Sequence, residues 1–262
     1  MQGINKSSHE DDTPSNCFLQ SGASYPLQLI AHLYFIISGI WLWIRSLCFR
    51  LAGKTPDPLR ERRKLAERFR AYLALLKKWG MLELEYSGFD EACTWAGSII
   101  VPNHPSILDA VILLECLPFM DCVMTSRLLR SPITSGAVKL CGFIRNDAAS
   151  SMIKTCRSRL ASGSNILIFP EGTRTRNKPV DEFHPGYLLV AKHCGAPIRT
   201  ILIECNSEYF GRQFSHFKPC RHVIRFRITT GRVFQTDHQT DVRGLSTEIE
   251  GYFRSKLSAH GS

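Results

Sequence analysis

The sequence has no CxxC pair and none of the regular cysteine–histidine spacings of a zinc module, although ten cysteines are scattered through its 262 residues. The closest two, Cys116 and Cys122, stand six positions apart. In a chain of this length, scattered cysteines point to reduced core thiols in a cytosolic compartment and argue against a disulfide framework or a structural zinc. Internal repeats and low-complexity tracts are lacking as well, which excludes solenoids and propellers. A basic leader is also missing before the first apolar run. Residues 1–24 are polar, and Glu10, Asp11 and Asp12 make them acidic. A secretory signal needs positive charge there, so this stretch is expected to be a short disordered tail.

The length suits one α/β domain with a full core plus an appendage. Apolar residues make up 44% of the chain and charged residues an ordinary 21%. The net charge of +10 favours an anionic partner: nucleic acid, anionic lipid, or a phosphorylated or acidic substrate carrier. Solubility alone would also account for it.

The appendage is expected over residues 25–80. From Leu27 to Leu47 the chain is strongly apolar, near the length that spans a bilayer, with His32 and Arg45 as interruptions. Tyr25, Tyr34, Trp41 and Trp43 are residues that favour a membrane interface. A shallow monotopic helix fits as well as a true span, and a buried core helix is the alternative. After Pro56 and Pro58 a second helical pattern runs from about Leu59 to Trp79. Leu65, Phe69, Tyr72, Leu73 and Leu76 share one face, and eight Lys and Arg cover much of the rest. A basic amphipathic helix beside an apolar segment reads as a headgroup-binding surface, or else as a solvated helix packing on its own domain. Flanking cations lie almost wholly C-terminal to the apolar run. The positive-inside rule therefore predicts that the rest of the chain lies on the cytoplasmic face of a membrane, such as a cell inner membrane.

Over residues 81–262 short apolar runs alternate with helical stretches. Runs at Ser98–Val101, Asp121–Thr125, Ile166–Phe169 and Ile198–Glu204 interleave with helices near Leu108–Leu117, Ser150–Ala161 and Gly186–His193. This pattern predicts an α/β fold, a mostly parallel sheet with flanking helices. Near the end, VIRFRITTGRVF alternates like a strand pair or one long strand, and Ser246–Leu257 reads as a closing amphipathic helix.

Two segments carry chemistry. The first is Asn103-His104-Pro105-Ser106-Ile107-Leu108-Asp109, directly after a strand. In a continuous helix His104 and Asp109 would point about 140° apart. They meet if His104 sits before the helix and Asp109 in its first turns, with Pro105 at the first helical position. The carboxylate would then fix one imidazole nitrogen and leave the other as a general base. A chance pair at this spacing is common in a chain with nine histidines. The second is Phe169-Pro170-Glu171-Gly172-Thr173-Arg174-Thr175, a turn after a strand. Gly172 permits close backbone approach, and Arg174, with Arg176 and Lys178 beside it, offers charge to a phosphate.

Together, His-x4-Asp and a later Phe-Pro-Glu-Gly-Thr-Arg resemble the glycerolipid acyltransferase family, typified by 1-acyl-glycerol-3-phosphate acyltransferases. The resemblance covers roughly residues 81–230, and Phe183 and Gly186 match a further element. It implies transfer of a fatty acyl group from an acyl-CoA or acyl-carrier-protein thioester to a hydroxyl of a lysophospholipid-type acceptor. His104 and Asp109 would be catalytic, and Arg145, Glu171, Gly172, Thr173 and Arg174 would bind substrate. No cofactor, metal or nucleic acid is implied. The chain departs from the family at Gly142-Phe143-Ile144-Arg145-Asn146-Asp147-Ala148, where Ala148 replaces the usual Arg, and at Pro197-Ile198-Arg199-Thr200, which keeps one of two prolines. Both segments serve the acceptor in the family. The first looks like the branch found with aryl-polyene and related lipid-pigment pathways. A specialised lipid or glycolipid acceptor is thus the alternative. A metal-dependent hydrolase lacks a third ligand group. A non-enzymatic basic module on membrane or nucleic acid explains the charge but not the motifs.

Overall fold

Residues 24–117, 119–207 and 222–259 are described by the computed structural model of the chain. The expected polar tail, apart from Ser24, lies outside them. Among the described residues, two helices come first. Helix α1 spans Ser24–Leu51 and α2 spans Pro58–Lys78. Asp57 caps α2, its carboxylate accepting from the Leu59 N–H at 3.0 Å, and Pro58 starts the first turn. Helix α2 both packs and stays basic. It buries Leu65, Ala66, Tyr72, Leu73 and Leu76 and leaves Arg60, Arg63, Arg70, Lys77 and Lys78 exposed. A buried ion pair joins Arg62 to Asp121, and Arg62 Nε donates to the Cys141 carbonyl at 2.9 Å. Removing one member of such a pair costs about 3–5 kcal/mol, because a buried charge is left alone.

Helix α1 lies against helix α4, Pro132–Leu140. The two cross at glycines: a Cβ on Gly39 would collide with the Ile133 backbone, and one on Gly136 with the Leu42–Trp43 backbone. Ala31 and Leu42 are buried in α1, whereas Leu29, Leu33, Ile37, Ile40, Trp41 and Ile44 face outward. The alternative of a buried core helix therefore fails, since the outer face has no protein cover among the described residues.

Seven strands form one sheet: β1 Leu82–Ser87, β2 Ile99–Pro102, β3 Asp121–Met124, β4 Ile144–Arg145, β5 Ile166–Leu167, β6 Ile198–Cys205 and β7 Ile224–Phe234. Their order is β1-β7-β6-β2-β5-β3-β4. Every pairing is parallel except β6 with β7. The segment VIRFRITTGRVF is thus one long strand, burying Ile224, Phe226 and Ile228 and exposing Arg225 and Arg227. Helices α2, α3 (Leu108–Cys116) and α4 contribute to one core; α5 (Ala149–Ala161), α6 (Gly186–Cys194) and α7 (Val242–Ser258) contribute to the other. Cys122, Cys141 and Cys156 are buried free thiols. Burial pushes their pKa up to about 12, which makes them packing groups rather than nucleophiles. Strands β2 and β5 are parallel neighbours. Their C-terminal ends therefore emerge side by side, where α/β sheets present ligand sites.

Candidate active site

Strand β2 ends at Pro102, and the buried Asn103 anchors the turn beyond it. Its side-chain amide donates to the Ile203 carbonyl and its oxygen accepts from the Ile203 N–H, both at 2.8 Å. The turn is thereby pinned to β6. Residues Pro105–Ile107 are not helical, and α3 begins only at Leu108. This corrects the placing of Pro105 at the first helical position. The turn is held by a reciprocal pair in the manner of a capping box. The Asp109 Oδ2 accepts from the Ser106 N–H at 2.8 Å, and the Ser106 Oγ accepts from the Leu108 N–H at 3.2 Å. Ser106 is fully buried in that role.

The same Oδ2 lies 3.0 Å from His104 Nδ1. Asp109 is wholly buried, and its Oδ1 has no hydrogen-bond partner. Burial pushes its carboxyl up, opposed by the hydrogen bond and charge of His104, the Ser106 N–H and the Arg174 charge. A carboxylate so placed holds the imidazole in one tautomer, with Nε2 as the nitrogen not engaged by Asp109.

Strand β5 leads into the second turn. Phe169 stacks on the His104 ring, centroids 4.0 Å apart and planes 28° from parallel. Gly172 has φ of +64°, a left-handed conformation that favours glycine. Glu171, expected to bind substrate, is buried instead, and both its oxygens accept from the chain. Oε1 takes the His104 N–H at 2.8 Å and the Thr175 hydroxyl at 3.0 Å; Oε2 takes the Asp181 N–H at 3.0 Å. Burial pushes the Glu171 carboxyl up, while these bonds pull it down. The Thr175 N–H closes the joint on the His104 carbonyl at 2.8 Å. Glu171 is therefore a bracket between the two turns.

A cavity of about 920 Å³ opens against this bracket. His104, Phe169, Gly172, Thr173 and Arg174 contribute one part of its wall, and Tyr34, Phe35, Gly39, Leu42 and Tyr72 of α1 and α2 another. Its size is that of a small-molecule or lipid pocket, roughly 300–1,000 Å³. Arg145, expected to bind substrate, does not line it; it is exposed and paired with Asp147. Arg127, Asn146 and Arg68 do line it; Asn146 lies in the Gly142–Ala148 segment beside the expected Arg145, whereas Arg127 and Arg68 are isolated cations that carry no motif. Among the described residues no group of three His, Cys, Asp or Glu could hold a metal ion.

Residues 84–204 match the model of a family described as Acyltransferase. The chain is 28% identical over 135 residues to 1-acyl-sn-glycerol-3-phosphate acyltransferase alpha of Mus musculus, covering 48% of this chain and 47% of that one. It is 29% identical over 171 residues to lyso-ornithine lipid O-acyltransferase of Pseudomonas aeruginosa, covering 63% of this chain and 62% of that one. The chain thus matches about half the length of its mammalian relatives. The crystal structure of a 1-acyl-sn-glycerophosphate acyltransferase from Thermotoga maritima superposes with a TM-score of 0.68 at 16% identity, over 93% of this chain and 98% of that one. That likeness establishes the fold.

Proposed function

We propose, from the match of residues 84–204 to the Acyltransferase family model, that the chain transfers a fatty acyl group from a thioester to the hydroxyl of a lysophospholipid-type acceptor such as 1-acyl-glycerol-3-phosphate. The observation that carries this reading is the His104–Asp109 pair at 3.0 Å, set in the wall of a cavity large enough for an acyl chain. The acceptor hydroxyl is a poor nucleophile until its proton is removed. His104 Nε2 takes that proton as the oxygen attacks the thioester carbonyl. The carbon–sulfur bond then breaks, and the imidazolium returns the proton to the leaving thiolate, whose acid has a pKa near about 8.5. Asp109 stabilises the imidazolium, and Phe169 holds the ring plane. Glu171 positions the two turns. Arg174 and Arg127 offer charge to an anionic acceptor headgroup. No enzyme nucleophile is required, and Ser106 is committed to its turn.

The membrane attachment is monotopic. Were α1 to cross a bilayer, Gly39 near its middle would place α4, with Thr134, Ser135 and Lys139, within the hydrocarbon. Lying in the interface, α1 buries its outward Leu, Ile and Trp side chains in lipid, while the exposed cations of α2 meet anionic headgroups on the cytoplasmic face.

A second reading concerns the acceptor. The match to the lyso-ornithine lipid enzyme extends over more of the chain than the match to the mouse protein, which favours an aminolipid acceptor. A thiol-release assay tests both, crossing acyl-CoA and acyl-carrier protein with lysophosphatidic acid and lyso-ornithine lipid. Acceptor-dependent release with either lipid supports acyl transfer and selects the acceptor. No acceptor-dependent release with any combination contradicts it.

A further inference from the structure

A second cavity, of about 950 Å³, lies beside the same two turns. It shares Asn103, Pro105 and Thr175 with them, and its wall includes no residue of α1 or α2. The first cavity is walled partly by α1 and α2; this one is walled largely by residues of the strands β1, β6 and β7. Its charges are unevenly matched. Arg225 pairs with Glu83 at 2.7 Å and Arg227 with Glu85 at 3.1 Å, so these four nearly cancel, and Glu204 adds one more carboxylate beside Arg227. Arg176 and Lys178 also line it, and among the described residues neither side chain sits in an ion pair.

The loop that carries those two cations is built. The Asp181 carboxylate accepts from the Arg176 N–H at 2.9 Å, the Asn177 N–H at 3.0 Å and the Asn177 side chain at 3.1 Å. Against a rise from burial, these bonds and the Arg176 charge hold the Asp181 carboxyl below its ordinary value. Asp181 in turn donates its own N–H to Glu171, which also receives the His104 N–H. Two carboxylates in series, Asp181 and Glu171, thus fix the cationic loop in relation to the catalytic turn.

Resting on the acyl-transfer reading, we propose that this groove, with its mixed apolar and charged wall, receives the phosphorylated pantetheine arm of the thioester carrier, with Arg176 and Lys178 on its phosphate and Asp181 as the positioning residue of their loop. The two substrates differ in the way the two cavities differ. The acceptor is a lipid and reaches the site from the membrane side; the carrier is water-soluble and polyanionic and approaches from the aqueous side. Coenzyme A and acyl carrier protein present the same arm, so the shared phosphate is the recognised group.

The test compares the full-length protein with an Arg176→Ala/Lys178→Ala variant on three donors of one acyl length: acyl-CoA, acyl-carrier protein, and acyl-N-acetylcysteamine, which carries no phosphate. The preference in kcat/KM for a phosphorylated donor over acyl-N-acetylcysteamine is expected to fall about tenfold, the size of a lost charge-assisted contact. A fall with acyl-CoA identifies the free coenzyme as a source, and one with acyl-carrier protein the protein-bound arm. A parallel loss on all three donors, no loss on any, or a rise confined to the acceptor KM overturns the assignment. A normal thermal unfolding midpoint shows that the variant is folded. If the unsubstituted protein releases no thiol from any donor, the acyl-transfer reading itself fails.

Discussion

The turns after β2 and β5 and the turn after β4 all lie at the same end of the sheet, yet they are built in opposite ways. The first two are locked together by buried groups: Glu171 accepts from both, Phe169 stacks on His104, and the Thr175 N–H bonds the His104 carbonyl. The third ends in an exposed pair, Arg145 with Asp147. Buried, hydrogen-bonded contacts hold a geometry against thermal motion; an exposed pair is worth about 0–1 kcal/mol. Precision is thus concentrated around the His104–Asp109 pair.

Breaking the locked turns at their centre should have the largest effect. His104→Ala is expected to lower kcat/KM at least about a hundredfold in a folded protein, as measured by acceptor-dependent thiol release. Glu171→Gln keeps the size but gives the Asp181 N–H or the His104 N–H a donor to face. Turnover is expected to fall about tenfold with little change in either KM, which separates a bracket from a substrate ligand.

Asp109→Asn sharpens the comparison from the side of stability. The Asp109 carboxyl is pushed above its unfolded range by burial. The folded state therefore binds the extra proton, and stability declines as pH rises from the ordinary carboxylate range through the raised value. The asparagine variant escapes that decline. Its melting point should exceed that of the unsubstituted protein at neutral pH, and the gap should close toward acid pH. A constant gap at every pH would place the effect in packing instead. The smallest change is expected at the loose turn, where Arg145→Ala should alter kcat/KM by less than about twofold.

The fold class, the order of α3, α5, α6 and α7, and the His104–Asp109 contact were legible in the sequence, because apolar periodicity and motif spacing are local properties. Strand β1 was not: LELEYS is short and comes directly after a helix end at Trp79–Gly80. Helix α4 was missed because PITSGAVKL is rich in poor helix formers, and its Gly136 makes sense only beneath α1. β4 has two residues and no periodicity. Glu171 looked like a polar loop residue facing substrate; its inward turn depends on N–H groups of His104 and Asp181, far apart in sequence. Helix α2 was left open between membrane surface and domain packing, and it serves as a packed helix with a basic outer face, because Arg62 buries its charge on Asp121 while its neighbours stay in water.

Direct transfer to a hydroxyl activated by His104 is tested most simply by leaving the acceptor out. The purified full-length protein is mixed with acyl-CoA alone, thiol release is monitored through the first turnover, and the intact mass is measured. Direct transfer predicts no stoichiometric burst and no added mass. A burst of one thiol per protein, with the acyl group attached at Ser106 or any other side chain, would contradict it.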